Sequence, residues 1–152
     1  MKVVLRWAGE DDAARLAVLK IEWAAAEPSE PEREAFAQAM AEWMDRHRDD
    51  VVCAVAEVDG RLVGMAWMVV YDRVPDLGQI HRMSADVQSV YVRSPHRGLG
   101  IGRRLVGMLC DDADRRGIPR VTVHSSSRAI SLYERAGFTR LPKLLARELA
   151  SL

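Results

Sequence analysis

Three glycines at alternate positions join an apolar run to an amphipathic one in the stretch VYVRSPHRGLGIGRRL, residues 90–105. The apolar run predicts a strand, and the spacing of apolar residues after the glycines predicts a helix. Successive backbone N–H groups of such a turn can point at an anion, and the positive end of the following helix adds to the attraction. Arginines at a helix start are poorly placed unless an anion offsets the dipole. The stretch therefore predicts a loop that binds phosphate groups.

Two common phosphate-binding motifs fit this loop poorly. A Walker A loop ends in Gly-Lys-Ser/Thr, whereas Arg103 and Arg104 follow the glycines here. A dinucleotide fingerprint needs a glycine at position 103 and an acidic residue about twenty positions further on, where this chain has His124 and Ser125. The remaining interpretation is a pyrophosphate cradle. The three glycines would form it, and Arg97, Arg103 and Arg104 would supply positive charge.

The rest of the chain predicts a mixed α/β fold. Apolar periods give the order β, αα, βββ, α, β, α, β, with a tight hairpin at Asp59-Gly60 and a long loop from Asp72 to Ser84. Ser126 or Ser127 can cap the last helix. The tail, FTRLPKLLAREL, predicts one or two further strands, although its end fits a helix equally well. This order favours a mixed sheet with helices on both faces.

The composition of the chain limits the kinds of partner that we expect it to bind. The chain of 152 residues has 22 acidic and 22 basic side chains, so we expect no nucleic-acid partner. No apolar run reaches the length of a membrane span and no signal-peptide core opens the sequence, so we expect a cytoplasmic protein without a membrane partner. Cys53, Cys110 and the scattered histidines lack metal-ligand spacing, so no metal site is predicted.

The segment VQSVYVRSPHRGLGIGRRL, followed by AISLYERAGF, resembles the GNAT family of acyl-CoA-dependent N-acetyltransferases. Within it, RGLGIG matches the pattern Arg/Gln-x-x-Gly-x-Gly/Ala. The resemblance implies a single N-acetyltransferase domain over residues 1–152, with a mixed, mostly antiparallel sheet of six or seven strands and helices on both faces. It further implies transfer of acetyl from acetyl-CoA to a primary amine of a small molecule or protein, by direct attack in a ternary complex, in a possible homodimer.

The resemblance also implies where acetyl-CoA binds. The main-chain groups of Val90 and Val92 would take the pantetheine arm and the thioester oxygen. Ser126 stands where the family often has asparagine, so its contact with the cofactor is expected to be lost or water-mediated. Arg128 and Ser131 are weaker candidates on the same helix. The full set implied to bind the cofactor is Val90, Tyr91, Val92, Arg97, Gly98, Leu99, Gly100, Ile101, Gly102, Arg103, Ser126 and Tyr133.

Two residues are candidates for proton transfer. Tyr133 matches the family tyrosine near the CoA sulfur and would act as the acid or orient the sulfur, although its helical position also suits a core residue. Asp86 falls where some members carry a catalytic glutamate and would act as the base through water; a solvent-facing strand residue is the alternative. The other candidate bases are His81, Glu22 and Tyr91. The resemblance also allows a chain of waters to take the proton without any single base.

Two other functions compete with acetyl transfer. A catalytically inactive CoA-binding regulatory domain would keep the cradle without the reaction, and a nicotinamide-dependent dehydrogenase is disfavoured by Arg103.

The sequence defines the acceptor site less well than the cofactor site. Trp23, Trp43 and Trp67 could line it, but their spacing favours core packing.

Overall fold

The computed structural model describes residues 1–150, which form a five-stranded sheet with its strands in sequence order. The strands are β1 (Val4–Trp7), β2 (Val51–Val58), β3 (Arg61–Arg73), β4 (Arg82–Val92) and β5 (Val121–Val123). The first four pair antiparallel, and β5 runs parallel to β4. The predicted mixed, mostly antiparallel sheet is confirmed.

Helices cover both faces of this sheet, as predicted. They are α1 (Ala13–Trp23), α2 (Glu30–Arg46), α3 (Ile101–Arg115) and α4 (Ile130–Arg135), with single 3-10 turns at Glu10–Asp12 and Ser94–His96. Because side chains alternate along a strand, Met65 of β3 packs with Leu16 of α1, whereas Met68 packs with Leu105 of α3 on the opposite face. The sheet therefore separates two apolar cores.

Local sequence signals account for the turns that frame these elements. Asp59 and Gly60 have φ of 49° and 76°, the positive values that a two-residue hairpin turn requires. Ser29 and Glu32 form a reciprocal capping box at the start of α2. The hairpin and the second helix are thus confirmed.

Three predicted details are wrong. The described residues contain five strands rather than six or seven, because 139–150 form neither strand nor helix; this segment has no β-branched residue after Thr139, and Pro142 interrupts it. The loop predicted from Asp72 to Ser84 is shorter, since Arg73 still pairs with Arg82. Neither Ser126 nor Ser127 caps α4, whose N-cap is Ala129; the helix starts after a turn in which the Ala129 N–H donates to the carbonyl of Ser126 at 3.1 Å.

Within residues 1–150 no helix is long and apolar enough to cross a membrane. The same part of the chain holds no cluster of His, Cys, Asp and Glu side chains that could bind a metal ion. Burial raises the pKa of both the Cys53 and the Cys110 thiols, so neither is a thiolate at neutral pH.

Candidate active site

Strands β4 and β5 separate partway along their length. Their pairing covers Ala85–Val87 of β4 and Val121–Val123 of β5, whereas β4 continues to Val92. Beyond Val87 the edge of β4 that faces β5 therefore has no strand beside it. A gap opens between the two strands, and residues 88–92 form one of its walls.

Backbone groups of β4 point into this gap. The N–H of Arg93 donates to the carbonyl of Val63 at 2.8 Å, so it faces β3. Successive residues of a strand direct their polar groups to opposite sides, which turns the N–H groups of Val90 and Val92 toward the gap. From that side, Arg97 Nε donates to the carbonyl of Val92 at 2.9 Å.

The loop that carries Gly98, Gly100 and Gly102, here called the glycine loop, lies at the end of the gap. Gly98 and Gly100 have φ of 78° and 75°, values that L-residues rarely adopt. Gly100 is also the N-cap of α3, and no side chain caps this helix. The amide N–H groups of Ile101, Gly102 and Arg103 begin α3 and find no backbone acceptor in the described chain. The helix thus presents free donors and the positive end of its dipole to the gap.

These elements enclose a cleft of about 830 Å³, here called the main cleft. Its lining includes ten of the twelve residues expected to bind the cofactor: Val90, Tyr91, Val92, Arg97, Gly98, Gly100, Ile101, Gly102, Arg103 and Tyr133. The other two are not among its lining residues: Leu99 is 52 % exposed, and Ser126 lines a neighbouring cavity.

The main cleft suits a ligand rich in negative charge. Four arginines line it, and the described residues that line it include no aspartate or glutamate. Its wall also carries His96, whose Nδ1 is buried without a hydrogen-bond partner. Together with the free amides of α3, these cations and donors fit a phosphorylated molecule such as CoA.

Tyr133 is a buried residue in the wall of the main cleft. Its side chain is 7 % exposed, and its ring packs edge-to-face on Phe138 with the centroids 5.5 Å apart. Burial raises the pKa of the phenol above its ordinary value, so the hydroxyl is a proton donor at neutral pH. Tyr133 thus belongs to the core and also lines the cleft. Its expected core position is confirmed, and its role as the acid stays a prediction.

A second cavity of about 350 Å³, here called the side cavity, meets the main cleft. The two share Trp23, Val90, Ala129 and Tyr133 as lining residues. Asp86 lines only the side cavity, where its carboxylate accepts hydrogen bonds from Thr122 Oγ1 at 2.9 Å and Gln88 Nε2 at 3.0 Å. The structure thus brings Asp86 and Tyr133 to one cavity wall.

The other possible bases lie differently. His81 is exposed in the loop between β3 and β4. Glu22 and Tyr91 are bound to each other, with the phenol 3.1 Å from the Glu22 carboxylate, and Arg93 Nε donates to the same carboxylate at 2.9 Å. Only Asp86 of these four candidates lines the side cavity.

Sequence analysis missed some of the lining residues. Arg135 was not considered, although it lies one helical turn after Ser131 on α4 and lines the main cleft together with Ser131 and Arg128. Trp23 was expected in the core, but it is 48 % exposed and lines both cavities. Trp67 is buried as expected, with Trp43 packed edge-on against it at 6.0 Å.

The amino-acid sequence is similar to those of known acetyltransferases. A glucosamine 6-phosphate N-acetyltransferase from Trypanosoma brucei brucei is 30% identical over 79 residues, 52% of this chain and 52% of that protein. A mycothiol acetyltransferase from Thermomonospora curvata is 36% identical over 90 residues, 57% of this chain and 27% of that protein. The chain therefore spans about half or less of the length of these relatives.

A solved structure, a predicted acetyltransferase with acetyl-CoA from Clostridium acetobutylicum, superposes with a TM-score of 0.79 at 17% identity, covering 97% of this chain and 96% of that one. At this identity the likeness concerns the fold alone. The sequence model of the Acetyltransferase (GNAT) family matches residues 15–138, which include the glycine loop, both cavities and Tyr133. The match covers most of the chain, and the protein therefore belongs to the GNAT acetyltransferase family.

Proposed function

We propose that this protein transfers an acetyl group from acetyl-CoA to a primary amine by direct attack, with both substrates bound together. One observation carries the proposal: a cleft lined by arginines and a cavity lined by a carboxylate meet at Val90 and Tyr133. The first suits a phosphorylated thioester and the second an ammonium group. Their junction is the place where an acyl group could pass from one to the other.

The residues of the main cleft would hold acetyl-CoA, which supplies the activated acetyl group. Arg97, Arg103 and the free amides at the start of α3 would bind its pyrophosphate. The N–H of Val90 would donate to the thioester oxygen as negative charge develops there. One such donor is worth about 2.7–4 kcal/mol in the transition state.

Two side chains would move the protons. Asp86 would take a proton from the incoming ammonium through water, with its carboxylate oriented by Thr122 and Gln88. Tyr133 would donate its proton to the departing thiolate, since burial keeps the phenol protonated. The positions of both residues in the side cavity support these roles.

The acceptor that we favour is a small molecule. The relatives are named for glucosamine 6-phosphate and mycothiol, both small molecules. The side cavity of about 350 Å³ is also the size of a small-molecule pocket. A cytoplasmic location, a homodimer and a single domain over residues 1–152 stay predictions.

The proposal is tested by binding and turnover measured on the same preparation. A ligand at a hundred times its Kd stabilises a fold by about 2.7 kcal/mol, so CoA and acetyl-CoA should raise the melting temperature, whereas NADH and ATP should not. Release of free thiol from acetyl-CoA is then measured against a panel of amines. Tight CoA binding without transfer to any amine would favour the regulatory alternative, and no CoA binding would contradict the proposal.

Two neighbouring arginines supply a matched pair of variants. Arg103 lines the main cleft, whereas Arg104 is exposed on the same helix and is not among the described residues that line either cavity. Loss of one charge-assisted hydrogen bond costs about 1.5–3 kcal/mol, so Arg103→Gln should raise the Kd for CoA about tenfold or more. Arg104→Gln should leave it within about twofold. Equal effects of the two variants would contradict the assignment of the pyrophosphate to this loop.

A further inference from the structure

Ser89 adopts a backbone conformation that serine rarely takes. It lies on β4 next to Val90 and has φ of 55°. The pairing of β3 with β4 shifts here, because Met65 faces Tyr91 while Trp67 faces Gln88. One extra residue on β4 is therefore bulged, and the positive φ falls inside the bulge. Strained residues of this kind persist only where their surroundings hold them in place.

Lys20, from the last turn of α1, contacts this bulge. Its Nζ donates to Ser89 Oγ at 2.6 Å and lies 5.1 Å from the centre of the Trp23 ring. No carboxylate of residues 1–150 comes within ion-pair distance of the ammonium. Burial also lowers the pKa of Lys20. A half-buried cation without a counter-ion is unfavourable in itself, so its place beside Ser89 calls for a reason in the site.

A second contact joins the same helix turn to the other side of Val90. The Glu22 carboxylate accepts hydrogen bonds from the Tyr91 hydroxyl at 3.1 Å and from Arg93 Nε at 2.9 Å. The last turn of α1 thus holds β4 through residue 89 on one side of Val90 and through residues 91 and 93 on the other. Val90 itself is held by its two neighbours.

We propose that Lys20 is a positioning residue, which holds Ser89 in its bulged conformation and thereby keeps the N–H of Val90 directed into the gap. The inference rests on the proposed function, in which this N–H binds the thioester oxygen. Lys20 acts on the reaction only through the strand. Without its ammonium, Ser89 can relax toward an ordinary strand conformation, which would rotate the next peptide group away from the gap.

The position of Lys20 predicts that its replacement lowers kcat without weakening the binding of CoA. An oxyanion donor acts in the transition state, and small misplacements of catalytic groups reduce rates by large factors. Lys20→Met keeps the apolar stem but loses the donor, so kcat should fall about tenfold or more, while the Kd for CoA stays within twofold. Lys20→Arg keeps a charged donor and should restore most of kcat. Lys2→Met, at an exposed lysine of the N-terminus, is the matched control.

Glycine at position 89 supplies a second arm. Because glycine takes positive φ without strain, Ser89→Gly should recover part of the kcat lost in Lys20→Met when the two are combined. A kcat of Lys20→Met within twofold of wild type would overturn the proposal. So would a loss confined to the KM of the amine, which would instead make Lys20 a contact of the acceptor.

A measurement without turnover separates this inference from the proposed function. Amide hydrogen exchange at residues 89–91 and the Cα and Cβ chemical shifts of Ser89 report the bulge in the free protein. Both should change in Lys20→Met and not in Lys2→Met. If wild type acetylates no amine but these signals change, the proposed function fails and Lys20 still positions the strand; if they do not change, the inference itself fails.

Discussion

Replacing Tyr133 with phenylalanine removes one oxygen atom and should leave the fold intact. The ring is 7 % exposed and packs on Phe138, a contact that phenylalanine retains. The hydroxyl makes no hydrogen bond within residues 1–150, so its removal leaves no buried group without a partner. We therefore expect the free energy of unfolding to change by less than about 0.5 kcal/mol.

The kinetic effect of Tyr133→Phe should be large. General acid catalysis contributes about 10²- to 10⁴-fold, and a thiolate, whose conjugate acid has a pKa of about 8.5, needs less help to depart than an amine. A loss of about 100-fold in kcat follows, equivalent to about 2.7 kcal/mol. The wild-type rate should rise with pH as the amine loses its proton. Because burial raises the pKa of the Tyr133 phenol, loss of the phenol proton should lower the rate only at a pH above about 10.

Initial rates of thiol release at saturating amine, calorimetric binding of CoA and thermal unfolding together test this prediction. Tyr71→Phe is the control, since Tyr71 is 46 % exposed on β3 and lines neither cavity within the described chain. A kcat of Tyr133→Phe within threefold of wild type, at unchanged stability, would refute the role as acid. A matching loss of CoA affinity would assign Tyr133 to binding.

Two further predictions concern stability. Asp12 is 3 % exposed and accepts from Arg6 at 2.7 and 2.9 Å and from the Gly9 amide at 2.8 Å, so Asp12→Ala should cost about 3 kcal/mol in urea unfolding, and the exposed Asp11→Ala almost nothing. Arg6 lowers the pKa of Asp12 in the folded protein. The stability that the Asp12 charge adds, measured as the difference in unfolding free energy between wild type and Asp12→Asn, should therefore have its full value above pH ~4. It should decline as the pH falls from there toward the lowered pKa of the folded protein. Gly100→Ala, at φ 75°, should destabilise by about 1 kcal/mol, whereas Gly107→Ala, inside α3 with nothing within 4 Å of an added Cβ, should stabilise by up to about 1 kcal/mol; equal melting temperatures for the two would contradict the reasoning.

The glycine loop could be predicted from sequence because its determinants are local. Glycines at 98 and 100 permit the positive φ values observed there, and the apolar spacing after them fixes the face that α3 buries. The same holds for the Asp59-Gly60 hairpin. Each of these features depends on residues within a few positions of one another.

The features that sequence analysis missed depend on distant pairing. The bulge at Ser89 requires that β3 and β4 pair in a shifted register, and nothing near Ser89 in the sequence indicates Lys20 as its partner. The tail was expected to form one or two strands, but after Thr139 it has no β-branched residue and Pro142 interrupts it. Trp23 has core-like helical spacing, yet it lies at the end of α1, where the gap begins.

The main cleft and the side cavity carry opposite charges, and this difference bears on how the two substrates bind. A cleft lined by four arginines repels an ammonium group, whereas a cavity with the Asp86 carboxylate attracts one. Two substrates sorted in this way can be bound at the same time, with their reacting groups brought together at Val90 and Tyr133. No nucleophile on the protein is then needed to carry the acetyl group between them. The thiols agree with this view, because burial raises the pKa of both and neither lines the main cleft or the side cavity in the described structure. These observations support the direct attack proposed above, in which the amine reacts with the thioester without an acetylated protein intermediate.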